Sequence, residues 1–133
     1  MKKAALACPC GLGPSYEQCC GRYLASGVPA PTAEALMRSR YTAYTRADEA
    51  YLLASWHAST RPTALGLAEE GAAVKWLELT VLSREAGGEN DSAGTVRFVA
   101  RYKAGGRACR LSETSRFVRE GGRWYYLDGD VDG

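Results

Sequence analysis

The sequence predicts an α+β domain, with N-terminal helices packed on one face of a curved antiparallel sheet of about four strands, behind a small cysteine-rich element. Three observations predict it. Four cysteines lie between Cys8 and Cys20. Apolar residues then recur at helical spacing from Ala33 to Trp56. After Gly71 the apolar period falls to two, and the runs are divided by the glycine pairs Gly87-Gly88, Gly105-Gly106 and Gly121-Gly122, the mark of successive hairpins rather than parallel crossovers.

The first element is Cys8-Pro9-Cys10, an eight-residue spacer holding Gly11, Gly13 and Pro14, and then Cys19-Cys20. Zinc needs soft ligands converging on one point, and two close pairs joined by a flexible loop supply them with little chain to order. Residues 1–25 are therefore read as a zinc-binding element and 26–133 as the main domain, with one structural Zn2+ on Cys8, Cys10, Cys19 and Cys20. The metal ligand is thiolate, and Lys2, Lys3 and Arg22 lie nearby in sequence to favour it. Disulfides, a redox pair, an iron–sulfur site and inert thiols are the competing readings. A bridge between adjacent Cys19 and Cys20 would be strained, because neighbouring Cα atoms are about 3.8 Å apart and bridges prefer roughly 4.4–6.8 Å. Loop-crossing bridges require an oxidising compartment. The apolar stretch between Lys3 and Cys8 is shorter than a signal peptide needs, so a cytoplasmic location is expected. Cys109 is expected to be a buried small apolar residue.

At 133 residues and 46% hydrophobic content, the chain has enough material for one ordinary core. No segment reaches the apolar length of a membrane span. Acidic and basic residues are interspersed around a net charge of +2, so nucleic-acid binding is not indicated. Arg97, Arg101, Arg107, Arg110, Arg116 and Arg119 are expected to form the solvated face of the sheet.

Residues 21–31 are too proline-rich for a helix and read as a connector. Thr32 is a candidate N-cap for an amphipathic helix carrying Ala33, Leu36, Met37, Tyr41 and Tyr44 inward and Arg38 and Arg46 outward. Asp48 caps a second helix through Trp56 that stops near Arg61-Pro62, and a short third is expected over Thr63–Glu70. The strand runs are Ala73–Glu85, Gly94–Lys103, Arg107–Arg119 and Arg123–Leu127, paired as an antiparallel meander. Alternation places Val96, Phe98, Ala100 and Tyr102 on one face of the second run, Leu111, Glu113, Ser115 and Phe117 on one face of the third, and Trp124, Tyr126 and Asp128 on one face of the fourth. In the first run both rows are partly apolar. Glu113 and Ser115 are thus expected among aromatics, where a carboxylate is desolvated.

The segment from Cys8-Pro9-Cys10-Gly11 through Tyr16 to Cys19-Cys20-Gly21 resembles the SEC-C motif, a zinc-binding element also found at the end of the protein-export motor SecA. Pro31–Tyr41, Trp56-His57, and Ser115-Arg116-Phe117 through Trp124-Tyr125-Tyr126 and Asp128-Gly129 resemble the YchJ-like family of uncharacterised bacterial proteins. That family is similar in its main domain to nuclear transport factor 2. The resemblance therefore implies an NTF2-like (cystatin-like) cone enclosing a pocket, and implies that the four N-terminal cysteines are zinc ligands. It also implies a His before the glutamate matched by Glu113, where this chain has Ser112.

Two functions follow as expectations. The favoured one is a binding or adaptor module. Its zinc element docks a protein or ribosomal partner through Leu12, Tyr16, Arg22 and Tyr23, and its pocket, built from Tyr41, Trp56, Trp76, Phe98, Glu113, Ser115, Trp124 and Tyr126, takes a small-molecule ligand. A closed four-ligand metal site offers no hydrolytic centre. The alternative is a small enzyme of isomerase or hydratase type, with Glu113 as acid or base, His57 as its partner, and Ser115 or Tyr126 as orienting donors. The plainer expectations are that Glu113 pairs with Arg101 or Arg40, and that His57 caps a helix end.

Overall fold

The computed structural model describes residues 8–12, 15–65 and 74–131. The chain runs α1 (Gly21–Leu24), α2 (Ala33–Thr45), α3 (Glu49–Ala54), β1 (Val74–Ala86), β2 (Ala93–Ala104), β3 (Arg107–Glu120) and β4 (Arg123–Val131). The strands form one sheet in the order β1-β2-β3-β4, antiparallel throughout. No helix among the described residues is long and apolar enough to cross a membrane.

Both main helices start where their caps predict. The Thr32 Oγ1 accepts from the Ala35 N–H at 3.0 Å, and the Asp48 Oδ1 accepts from the Tyr51 N–H at 3.1 Å, each satisfying a donor the helix itself cannot. α2 ends as Ala47 turns to φ 54° and the Asp48 N–H returns to the Ala43 carbonyl at 2.8 Å. α3 is shorter than its periodicity predicts. The Ser55 hydroxyl donates to the Tyr51 carbonyl at 2.8 Å, and the chain then extends so that Trp56 forms a parallel bridge with Tyr126 of β4. Of the expected third helix, residues 63–65 are not helical and 66–70 lie outside the described residues. The connector, by contrast, contains a helical turn, α1, begun at the second cysteine pair.

The strands match the expected runs, with corrections that come from bulges. β1 is irregular at Leu77 and at Leu82. Each extra residue switches which row faces inward, so Trp76, Leu79 and Val81 lie opposite Tyr102, Ala100 and Phe98. That is why neither row of β1 reads as purely apolar. β4 runs to Val131, beyond Leu127, and an irregularity beside Leu127 pairs Arg116 with Asp128 and Ser115 with Gly129. Asp128 therefore leaves the Tyr126 face on which strict alternation puts it. It accepts from Arg116 Nε at 2.5 Å, while Arg116 Nη1 donates to Asp130 at 2.8 Å. An Asp-Gly-Asp run reads as a turn, and a charged ladder holds it extended.

Helices and sheet close on a core in which Phe117, Leu52 and Val96 are fully buried, joined by Leu36, Met37, Tyr41, Phe98, Ala100 and Trp124. The β1–β2 turn is clamped to the start of α2, because the Gly87 carbonyl accepts the Ala33 N–H at 2.9 Å. A Cβ on Gly87 would stand 2.8 Å from the Ala33 Cβ. Of the arginines expected on a solvated face, Arg97, Arg101, Arg107 and Arg110 are exposed, whereas Arg116 and Arg119 are half-buried. Cys109 is half-buried near the start of β3 rather than in the core.

Candidate metal centre and ligand cavity

The four N-terminal cysteines converge. Their Sγ atoms all lie within 4.8 Å of one another, and Cys10 and Cys19 sulfurs are 3.6 Å apart. A zinc held tetrahedrally by thiolates at about 2.3 Å would need sulfur–sulfur edges of about 3.8 Å, so the donor set fits such an ion in number, type and spacing. Each of the four is at most 4% exposed. The Gly11 N–H closes one turn on the Cys8 carbonyl at 3.0 Å and the Cys19 N–H the other on the Tyr16 carbonyl at 3.0 Å. Gly11 sits at φ 83°, and Gly21 has a backbone oxygen where a Cβ would go, the Tyr16 carbonyl at 2.8 Å.

The element is roofed by α2. Arg38 Nη1 donates to the Cys10 carbonyl at 2.8 Å, the fully buried Thr42 places its hydroxyl 3.7 Å from Cys8 Sγ, and the Arg46 guanidinium covers the Tyr16 ring at 4.0 Å. These residues are spaced four apart, one stripe along the helix. Arg38 and Arg46, outward on sequence reasoning, point away from the sheet but against the cysteine element. Arg22 adds a bond from Nε to the Cys19 carbonyl at 2.9 Å. Lys2 and Lys3 lie outside the described residues.

Four thiolates cannot share this space unaided. Hydrogen bonding from Cys20 pulls the Cys10 thiol down to about 5 against its burial. Burial and the Cys10 charge push Cys19 up to about 11, and Cys10 followed by burial pushes Cys20 up strongly. A cation at the centre would remove that conflict.

On the other side of α2, the bent sheet encloses a cavity of about 250 Å³. Of the expected pocket residues, Tyr41, Trp56, Trp76, Phe98, Glu113, Ser115 and Tyr126 line it, together with Met37, Arg40, Tyr44, Ala100, Leu111 and Phe117. Trp124 does not. It is buried between β4 and the connector, with its Nε1–H donating to the Pro31 carbonyl at 3.2 Å. The Glu113 carboxylate is held by hydroxyls, since Ser115 Oγ donates to Oε2 at 2.8 Å and Tyr126 Oη at 3.2 Å. Gly129 makes the room: a Cβ there would collide with that carboxylate. Burial, reinforced by the Glu113 charge, pushes the Tyr126 phenol up, so it stays a proton donor. Burial also pushes Tyr41 up to about 12.

Arg40 is the site residue that sequence reasoning underrated. Only 6% exposed, it donates through Nη1 to the Leu52 carbonyl at 2.8 Å and to Ser55 Oγ at 2.6 Å. Its guanidinium lies over the rings of Tyr126 at 4.6 Å and Trp56 at 5.0 Å. Burial lowers its pKa, and Glu113 is among the groups that counter this. The expected Arg40–Glu113 pairing is thus one of electrostatic range, not contact. His57 is not brought to Glu113. Its Nε2 meets Glu120 at 2.8 Å and its Nδ1 meets Ser59 at 2.7 Å, on the outside of the β3–β4 end.

Residues 32–129 match the family described as YchJ, middle NTF2-like domain. The chain belongs to the YchJ-like family. Its curated YchJ-like relatives include a UPF0225 protein of Chromobacterium violaceum, 60% identical over 98% of this chain and 96% of that protein. Another, from Methylibium petroleiphilum, is 52% identical over 98% and 93%. The solution structure of a SEC-C motif containing protein from Rhodopseudomonas palustris superposes with a TM-score of 0.84, at 35% identity, over 96% of this YchJ-like chain and all of that one. The crystal structure of a SEC-C motif containing protein from Psychrobacter arcticus shares the fold, with a TM-score of 0.78 at 24% identity over 98% and 85%. The YchJ-like chain therefore has the NTF2-like cone expected of it, with a cysteine cluster suited to a metal at its N-terminus.

Proposed function

We propose that this protein is a binding module stapled by one structural zinc ion, with the aromatic cavity as its small-ligand site and the cysteine element as a docking surface for a protein or ribosomal partner. The observation that carries the reading is the separation of the two centres. The cysteines are buried, they supply a closed set of four ligands, and none of them lines the cavity. Zinc held this way supplies folding free energy and no open coordination position. The cavity brings Glu113 together with hydroxyl donors, while the one histidine is engaged elsewhere. That favours binding over the isomerase or hydratase alternative, which would have to work with Glu113, Tyr126 and Ser115 alone. For docking, Leu12 is 64% exposed and Arg22 is also exposed. Tyr16 is half-buried with Arg46 over its ring, and Tyr23 is buried and so not presented to a partner.

The test is metal analysis of the purified protein against Cys10→Ser, with amide spectra recorded before and after chelation. One zinc per chain, lost in the variant together with the dispersion of the amides around Cys8–Leu24, is the expected result. Metal-free protein with the same N-terminal dispersion would overturn the staple. Ribosome co-sedimentation with Leu12→Asp as the comparison tests the docking arm, which fails if neither protein sediments.

A further inference from the structure

We infer that the cavity selects a small organic cation, an amidine or ammonium group carried on a single aromatic ring, with the charged N–H donors on Glu113 Oε1. The inference rests on the cavity being a ligand site and names what enters it. A carboxylate offers about four acceptor positions. Both hydroxyl donors, Ser115 and Tyr126, are spent on Oε2, and among the described residues Oε1 accepts from none, although Glu113 faces the cavity. The walls around it include Tyr41, Tyr44, Trp76 and Phe98, whose ring faces carry negative quadrupole density and attract a cation.

The other charge in the cavity is that of Arg40, which donates through Nη1 to the Leu52 carbonyl and Ser55 Oγ and lies over the rings of Trp56 and Tyr126. An anion drawn to its remaining N–H groups would stand within electrostatic range of the Glu113 carboxylate. Size sets the remainder. An engineered apolar cavity of about 150 Å³ in another protein takes benzene, so a cavity of about 250 Å³ has room for one ring and a charged substituent.

The experiment titrates the full-length protein with benzamidine, benzoate and benzyl alcohol, following amide shifts and binding heat. Benzamidine should shift residues of the cavity strands and bind at least about tenfold more tightly than either of the others, a difference of about 1.4 kcal/mol. Glu113→Gln should erase that preference. Benzoate binding as well as benzamidine, or better, overturns the choice of a cation, and so does equal binding of benzyl alcohol; in both cases the cavity still stands as a ligand site. No shift at the cavity with any of the three overturns the ligand site and the cation together. Comparing the three probes on the unsubstituted protein decides the matter even if Glu113→Gln fails to fold.

Discussion

Gly129→Ala is the sharpest perturbation of the cavity, because it adds one methyl group at a place already filled by a carboxylate. The new Cβ would collide with Glu113 Oε2 and lie 2.9 Å from its Cδ. The carboxylate has to swing away, which breaks the bonds from Ser115 at 2.8 Å and Tyr126 at 3.2 Å. Hydrogen bonds to a charged group are worth about 1.5–3 kcal/mol each. Taking the lower figure for a half-buried group gives a loss of about 3 kcal/mol. Gly129 does not use the left-handed region, so alanine returns about 0.4–1 kcal/mol by narrowing the unfolded ensemble. The net cost is about 2 kcal/mol, roughly 6–10 °C in Tm for a chain of this size. The assay is urea denaturation of Gly129→Ala, Glu113→Ala and the double variant. With the carboxylate gone, the methyl group meets chiefly the Thr114 carbonyl at 3.1 Å and should cost much less. An equal cost for Gly129→Ala in both backgrounds would falsify the reasoning.

Leu52→Ala, at a fully buried position of α3, should cost about 2–5 kcal/mol in urea, and a loss below about 1 kcal/mol would contradict the packing of α3 against α2. Arg38→Met removes the bond to the Cys10 carbonyl. It should speed transfer of the metal to a chelator roughly fivefold, for a bond worth about 1 kcal/mol, with the far-ultraviolet spectrum of the sheet unchanged. An unaltered transfer rate would mean the α2 roof does not hold the element. Alkaline pH should unfold the protein. Burial raises Tyr41 from 10.0 to about 12 and raises Tyr44, Tyr51 and Tyr126 as well. The folded chain then keeps protons that the unfolded chain releases. That stability is whole below pH 10 and is lost as pH rises through the folded values. Tyrosinate absorbance should therefore show part of the eight tyrosines ionising only as the sheet signal collapses. All eight ionising near pH 10 in folded protein would refute it.

Much of this architecture is legible in local chemistry. Thr32 and Asp48 announce their helices because a cap needs only its own side chain and the next turn. The double glycines at Gly105-Gly106 and Gly121-Gly122 announce their hairpins because both turn positions demand positive φ. The cysteine spacing announces a cluster suited to a metal because the four residues are close in sequence. Side chains whose role depends on a distant partner are less legible. Arg40 sits on the inward stripe with Leu36, Met37 and Tyr44, yet its charge suggests only a pairing with Glu113 until Trp56, Tyr126 and the Leu52 carbonyl are seen around it. His57 and Glu113 look like a catalytic pair only while the path of the chain after α3 is unknown. The bulges at Leu77, Leu82 and Leu127 carry no glycine or proline signal, so strict alternation carries Asp128 to the wrong face. The Asp128-Gly129-Asp130 run hides a strand because its support, Arg116, comes from the neighbouring strand.

A four-stranded meander has two open edges, and an unpaired row of backbone donors and acceptors invites pairing with a second chain. The bridge between Trp56 and Tyr126 therefore does more than shape the cavity. With the His57 N–H on the Tyr126 carbonyl at 2.7 Å, the Tyr126 N–H on the Ser55 carbonyl at 2.8 Å and Thr60 Oγ1 on the Leu127 carbonyl at 2.5 Å, the segment after α3 occupies the hydrogen-bonding row of β4. At the opposite edge, β1 is interrupted at Leu77 and Leu82, which stand 48% and 50% exposed, and carries Lys75, Arg84 and Glu85 in the open. Its ladder positions fall out of phase with any straight strand laid beside them. The same irregularities that bend the sheet into a cone leave it without a long flat edge on which fibrous self-association could begin.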